Sequence, residues 1–164
     1  MFAAAFAAAG WGVTLPVLPP APPAAECVVA RITDGDTLRC ADGRRVRLVG
    51  IDAPERSQRP HGDAATRALA RLAPVGTPVT LETGRVARDR FNRVLAFVRL
   101  ADGTSVNEQL VGDGYAIRYE GADVDRATAK RLERAEARAR AAGAGLWATG
   151  GFVCRPRDHR RKAC

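Results

Sequence analysis

Short alternating runs separated by Asp-Gly turns constrain the fold of this 164-residue chain more than any other feature. The first three runs are CVVARI, TLRC and RRVRLVGI, at residues 27–32, 37–40 and 44–51. Asp34-Gly35-Asp36 and Ala41-Asp42-Gly43 separate them, and glycine in such a turn predicts a positive φ angle. Pro54 should end the third run because proline cannot donate to a strand ladder. The pattern predicts three consecutive strands.

The remainder of the chain alternates between helical and extended patterns. DAATRALARL (63–72) predicts a helix with Asp63 as N-cap, and TPVTLETG and NRVLAFVRL predict two further strands. Ser105 and Glu108 form a capping-box pattern at the next helix start, and the Ala/Arg/Glu-rich stretch 123–142 predicts a long helix ended by glycines. The fold class predicted is α+β with a mainly β core: a five-stranded OB-fold barrel with about three packed α-helices.

Residues 1–25 form a separate apolar segment with no charged side chain before Glu26 and with a cluster of prolines and alanines. Such a segment fits a secretory signal peptide with a spacer, or an uncleaved membrane anchor. We therefore expect a signal or anchor over 1–25, a folded domain over 26–149 and a basic, cysteine-containing tail over 150–164. The expected location is exported, either periplasmic or secreted, or attached to the membrane through the N-terminus.

The four cysteines are consistent with export. Cys27 and Cys40 flank the first predicted hairpin, whereas Cys154 and Cys164 bracket the tail. An even number of cysteines in a short exported chain favours disulfides over a metal site. Three pairings are open, and we expect the local one, 27–40 with 154–164.

The formal net charge is +8, and the tail segment RPRDHRRK supplies about half of it. A basic surface concentrates polyanions, so nucleic acid is a candidate partner. A general preference for arginine in the composition explains the same charge without any such partner.

Four acids lie beside an arginine in the stretch 34–55: Asp34, Asp36, Asp52 and Glu55, with Arg47. They stand at the ends of predicted strands, where a rigid scaffold can direct several side chains to one point. Clustered carboxylates suit a hard cation such as Ca²⁺ or Mg²⁺, and arginine suits a phosphate. The combination indicates phosphodiester chemistry.

Five motifs in order carry a resemblance to a known family: DGDTL (34–38), RLVGIDAPE (47–55), DRFNRVLA (89–96), DGTSVNEQLVGDGYA (102–116) and GLW (145–147). From about Val28 to Trp147 the chain resembles the thermonucleases of the staphylococcal (micrococcal) nuclease family. The resemblance implies an OB-fold, Ca²⁺-dependent endonuclease that hydrolyses DNA and RNA and leaves 3′-phosphate ends. It also implies nucleic-acid substrates, with single strands preferred, and we expect a monomer.

The resemblance also implies roles for individual residues. Asp36 and Asp52 would bind Ca²⁺ together with the backbone carbonyl of Ala53, where the family usually has Thr, and Asp34 would support them by orienting water. Glu55 would act as general base. Arg47 and Arg93 would bind the scissile phosphate.

Substrate contacts are expected from the 89–91 loop and from two tyrosines. Phe91, where the family usually has Tyr, can stack on a base but cannot hydrogen-bond a phosphate. The candidate substrate-binding residues are Asp89, Arg90, Phe91, Tyr119 and, ranked lower, Tyr115. A rival from another class is a non-catalytic OB-fold module that binds nucleic acid.

Overall fold

The structure, a computed structural model, describes residues 24–164, and a closed five-stranded barrel forms its centre. The strands in chain order are β1 (Ala24–Asp34), β2 (Thr37–Cys40), β3 (Arg45–Leu48), β4 (Ile51–Asp52), β5 (Pro78–Arg88), β6 (Val94–Arg99) and β7 (Ile117–Arg118). The barrel order is β1-β2-β3-β6-β5, while β4 and β7 form a separate two-stranded sheet. Only β3 and β6 pair in parallel within the barrel. The predicted five-stranded α+β architecture is confirmed.

Four α-helices pack around the barrel in the described residues, one more than expected. They are α1 (His61–Leu72), α2 (Val106–Gly112), α3 (Arg126–Ala141) and α4 (Pro156–Arg160). The additional helix, α4, lies in the tail and begins with proline at its first position, where the missing N–H would have no helical partner. None of the helices between residues 24 and 164 is long and apolar enough to cross a membrane.

The core fills the barrel and extends beneath the helices. Strand β6 alternates between buried and half-buried side chains along its whole length, as a strand with one face in the core should. Leu110 of α2 and Leu132 of α3 have no exposed surface and extend this core outward. Burial of such side chains stabilises the fold by about 1.5–3 kcal/mol each, so the helices are integral parts of the domain.

The third predicted strand is divided into two, and this correction matters for the site. Gly50 has φ +82°, a conformation that ends regular pairing, so β3 stops at Leu48 and β4 begins at Ile51. Strand β4 leaves the barrel and pairs with β7, with Asp52 opposite Ile117. The carboxylate of Asp52 is therefore carried by the small sheet rather than by the barrel.

Two local predictions are wrong. Gly35 does not have a positive φ; it is needed because a Cβ there would lie 2.6 Å from the Cβ of Ala65 in α1. Helix α1 begins at His61 with Pro60 as N-cap, because the amide of Ala64 already donates to the Pro60 carbonyl (3.1 Å). Asp63 lies inside the first turn, where its negative charge interacts favourably with the helix dipole.

Other sequence signals are confirmed. The long helix predicted over 123–142 is confirmed as α3, and Gly143 follows it with φ +59°. Its N-cap, which the sequence pattern did not single out, is Asp125, whose side chain accepts hydrogen bonds from the amides of Ala127 and Thr128. Ser105 caps α2 through the amide of Glu108.

Disulfides join Cys27 to Cys40 and Cys154 to Cys164, with Cα–Cα distances of 5.4 and 5.8 Å, in the expected local pairing. The predicted signal or anchor over 1–25 lies, except for its last two residues, outside the described part of the chain.

Candidate active site

A cleft of about 840 Å³ opens beside β3, β4 and the loop that precedes β6. The structure brings most of the predicted site residues to its walls: Asp34, Asp36, Arg47, Ala53, Glu55, Asp89, Arg90, Phe91, Arg93 and Tyr119. Asp52 lies directly behind this surface and is only 1% exposed. The acids and arginines of distant motifs thus share one concave site.

Asp36 is fixed in the turn between β1 and β2. Its Oδ2 accepts a hydrogen bond from the backbone amide of Ala53 (2.9 Å), and its Oδ1 accepts one from the Thr37 hydroxyl (3.1 Å). The Leu48 amide donates to the Asp36 carbonyl (2.9 Å). These bonds tie the β1–β2 turn to both halves of the divided third run, so Asp36 cannot rotate freely.

Arg47 joins the two buried carboxylates. Its Nη2 lies 3.0 Å from Asp36 Oδ2 and 3.2 Å from Asp52 Oδ1. Burial raises the pKa of Asp52 above its ordinary value and Asp36 adds to this effect, while Arg47 opposes it. Because one guanidinium nitrogen touches both acids, their oxygens converge on a single point that favours positive charge.

Asp34 lies at the edge of this group. Its Oδ1 accepts a hydrogen bond from the amide of Asp36 (3.0 Å). Burial, together with the negative charge of Asp36, raises the pKa of Asp34 to about 6. Asp34 therefore neighbours the central pair of acids without sharing their contacts with Arg47.

Glu55 follows Pro54 on the loop between β4 and α1. Its backbone amide donates to the side-chain oxygen of Gln58 (2.9 Å). Its carbonyl lies so close to Gly62 that a Cβ at Gly62 would come within 2.0 Å of it. The loop is thus held tightly, while the Glu55 side chain remains about one third exposed to the cleft.

Arg93 is positioned by Asp89. Its backbone amide donates to Asp89 Oδ1 (3.0 Å) and its Nε donates to Asp89 Oδ2 (2.8 Å). Partial burial alone would raise the pKa of Asp89, but hydrogen bonds from Arg93 outweigh it and lower the pKa. Asp89 was expected to contact substrate; its observed contacts are with its own loop.

Aromatic rings border the same region. Phe91 is 55% exposed and has the guanidinium of Arg90 at 4.8 Å from its ring centre. Tyr119 is also exposed, and it lines the cleft as part of the segment that follows β7. Tyr115 packs against the core near Arg71 and does not line the cleft, so the structure does not bring it to the other site residues.

Arg160, in the tail, is the site residue that sequence reasoning missed. Its Nη1 lies 3.0 Å from Asp52 Oδ1 and 2.6 Å from Glu55 Oε1, and its Nη2 lies 3.0 Å from Asp52 Oδ2. Burial alone would lower the pKa of Arg160, but the hydrogen bonds that its guanidinium donates to Asp52 and Glu55 outweigh burial and raise it. The signal available in the sequence was a run of basic residues enclosed by Cys154 and Cys164.

The donor set fits a hard cation in part. Within residues 24–164, no three His, Cys, Asp or Glu side chains converge as a complete metal cluster. Asp36 and Asp52 nevertheless direct buried carboxylate oxygens to one point. In this structure the positive charge at that point comes from the guanidinium groups of Arg47 and Arg160. Carboxylate oxygens are the kind of donor that a hard cation such as Ca²⁺ takes, although two acids supply only part of its roughly six to eight ligands.

A closed five-stranded barrel with helices packed on it defines an OB-type α+β domain, and its cleft is lined by acids and arginines. The sequence model described as Staphylococcal nuclease homologue matches residues 45–149. The chain belongs to this family.

Curated relatives agree with this assignment. The chain is 40% identical over 100 residues to an uncharacterized endonuclease of Escherichia coli, covering 59% of this chain and 63% of the relative. It is 34% identical over 118 residues to Endonuclease YhcR of Bacillus subtilis, covering 61% of this chain and 10% of that protein. Thermonuclease of Staphylococcus intermedius is 34% identical over 97 residues, covering 54% and 56%. The chain therefore spans less than two thirds of each of these relatives.

Proposed function

We propose that this protein is a Ca²⁺-dependent nuclease that hydrolyses phosphodiester bonds of DNA and RNA. The observation that carries the proposal is the convergence of Asp36, Asp52 and Glu55 with Arg47 at one cleft. Membership of the nuclease homologue family and the names of the relatives support it. A module that only binds nucleic acid has no need for two buried acids, an exposed glutamate and arginines at one point.

Asp36, Asp52 and the backbone carbonyl of Ala53 would hold the Ca²⁺ ion, with Asp34 supporting them. Once bound, Ca²⁺ would act as a Lewis acid that stabilises the negative charge of the phosphoryl group. The donor oxygens of Asp36 are held by the Ala53 amide and the Thr37 hydroxyl. These bonds would keep the Asp36 carboxylate oriented when the ion binds.

Glu55 would take a proton from the attacking water, whose oxygen forms the new bond to phosphorus. The bond to the 5′ oxygen breaks, and this oxygen would take up a proton from solvent water, leaving a 5′-hydroxyl and a 3′-phosphate. Arg47 and Arg93 would bind the phosphoryl oxygens, where a planar guanidinium can donate two parallel hydrogen bonds. Asp89 orients Arg93 for this task.

Phe91, Arg90 and Tyr119 would contact the nucleotides beside the cleaved bond. Because aromatic rings stack only on bases that are free of their partners, single strands should be preferred. The exposed Phe91 ring and the net charge of +8 support this part of the proposal. We infer that the protein acts as a monomer.

Export is part of the proposal, either as a free protein or attached through its N-terminal segment. Two disulfides within residues 24–164 support it, because such bonds persist mainly in oxidising compartments. The organisation into an N-terminal targeting segment over 1–25, a domain over 26–149 and a basic tail over 150–164 is also part of the proposal, and the composition of the sequence supports it.

The test compares the full chain with Glu55→Gln and with Glu120→Gln, an exposed neighbour of the cleft. Loss of the general base should lower the cleavage rate of heat-denatured DNA by about 10²–10⁴-fold, while the Glu120 variant should cut normally. End-group analysis should find 3′-phosphates. Cleavage by Glu55→Gln at the wild-type rate would exclude the general-base role. Strand binding without cleavage under all conditions would favour the binding module.

A further inference from the structure

The segment from Cys154 to Cys164, called here the C-terminal loop, reaches the two acids that matter most for the proposed chemistry. Arg160 donates to both oxygens of Asp52 and to Glu55 at 2.6–3.0 Å. These residues are separated by more than a hundred positions in the chain. The family model ends at residue 149, so the C-terminal loop lies outside the matched region.

The C-terminal loop is built to hold Arg160 in place. Its start is fixed by a hydrogen bond from the Gln58 side chain to the Cys154 carbonyl (2.9 Å). His159 Nε2 lies 2.8 Å from the Ser57 hydroxyl. The Cys154–Cys164 disulfide closes the loop around α4. Because Gln58 also accepts a hydrogen bond from the Glu55 amide, the loop is anchored to the same segment that carries Glu55.

The contacts of Arg160 have a consequence for any cation that uses Asp52. Both oxygens of Asp52 are bound by the Arg160 guanidinium, and Oδ1 is also close to Arg47. Glu55 Oε1 is bound as well, and an oxygen that is bound to arginine is a poor acceptor for a proton from water. The Arg160 side chain is 41% exposed, so it can turn into solvent without disturbing the buried barrel.

We propose that Arg160 is a built-in competitor for the metal ion, occupying Asp52 and Glu55 in the metal-free protein and leaving them when the cation binds. This inference rests on the proposed function, because it takes Asp52 as a metal ligand. Arg160 lowers the apparent affinity for Ca²⁺ by the cost of breaking its charged hydrogen bonds. It also adds a second cationic partner for Asp52 beside Arg47, and this offsets the free-energy cost of burying the Asp52 charge.

The experiment measures Ca²⁺ binding directly by calorimetry on the full chain, without substrate. Arg160→Gln removes the guanidinium, and Arg161→Gln changes the same net charge at the exposed neighbouring position. We expect Arg160→Gln to bind Ca²⁺ at least about tenfold more tightly than wild type, the ratio expected from the loss of one charged hydrogen bond. Arg161→Gln should bind as wild type does.

A second variant provides an independent test in case Arg160→Gln does not fold. Cys154→Ser with Cys164→Ser opens the C-terminal loop and leaves Arg160 intact, so Ca²⁺ affinity should rise in the same direction by a smaller factor. The temperature of unfolding should rise more on adding Ca²⁺ to Arg160→Gln than to wild type. Measurable binding with equal or weaker affinity in both altered proteins overturns the inference alone. Absence of Ca²⁺ binding in wild type and variants overturns the metal site of the proposed function and the inference with it.

Discussion

Replacement of Arg47 by lysine separates the structural role of this residue from its proposed role at the phosphate. Arg47 Nη2 touches Asp36 at 3.0 Å and Asp52 at 3.2 Å, and its side chain is 14% exposed. Removing one partner of a buried ion pair costs about 3–5 kcal/mol. Lysine retains the positive charge, so Arg47→Lys should lose only about 1.5–3 kcal/mol, the value of one charged hydrogen bond.

The catalytic effect should be larger. Lysine cannot donate two parallel hydrogen bonds to phosphoryl oxygens, and loss of one such donor costs about 10²–10³ in kcat. We expect kcat on denatured DNA to fall by that factor while the fold is retained.

The assay pairs urea unfolding in the absence of Ca²⁺ with turnover at saturating Ca²⁺ and substrate. Arg39→Lys, at an exposed position of the neighbouring strand β2, is the matched control and should leave both quantities unchanged. A kcat for Arg47→Lys within threefold of wild type would refute the phosphate role. If the unfolded fraction of Arg47→Lys under the assay conditions accounts for the whole fall in kcat, Arg47 has a structural role alone.

Three further predictions concern the supports of the site and of the helices. Asp89→Asn should lower kcat/KM on denatured DNA about tenfold, because the ion pair that orients Arg93 is lost. Asp102→Asn, in a turn outside the cleft, is the control and should have no effect. Equal values of kcat/KM for the two variants would contradict this prediction. Asn107→Ala should lower the free energy of unfolding by about 3 kcal/mol, since its side chain satisfies Val98 N, Val49 O and Ala96 O in the interior; a loss below 1 kcal/mol by urea unfolding would contradict it. Asp125→Ala should cost about 1 kcal/mol at pH 7, and Asp125→Asn much less. Hydrogen bonds from Thr128 lower the pKa of Asp125 below 3.8, so its contribution is fully present above that value and is lost as pH falls through the lowered pKa. A difference in stability between wild type and Asp125→Ala that stays constant as pH is lowered below 3.8 into the acid-unfolding range would contradict the capping argument.

The barrel was predictable because its signals are local. Apolar alternation identified every barrel strand, and Ser105 marked a helix start, because its side chain accepts a hydrogen bond from the amide of Glu108, three residues further on. Residues whose conformation depends on neighbours distant in sequence were not predictable in this way. Gly35 is required because α1 approaches it, and no property of its own turn reveals that approach.

The candidate site likewise contains residues that local sequence signals predicted and one residue that only the tertiary structure places there. Asp36, Asp52, Glu55 and Arg47 lie within one short stretch, so strand ends and turn chemistry placed them together. Arg160 reaches them only because the disulfide loop folds back on Ser57 and Gln58, a tertiary contact that a basic run in the sequence does not encode. The basic composition of the tail is equally typical of a solvent-exposed segment, so it did not single out Arg160.

The metal dependence of cleavage tests the central claim most directly. The full chain is incubated with heat-denatured DNA in millimolar Ca²⁺, and excess chelator is added to half of the reaction while product is followed with time. Asp36 and Asp52 are taken as the ligands of a required ion, so cleavage should proceed with Ca²⁺, stop on chelation and resume when Ca²⁺ is restored. Cleavage that continues unchanged in excess chelator would contradict the account.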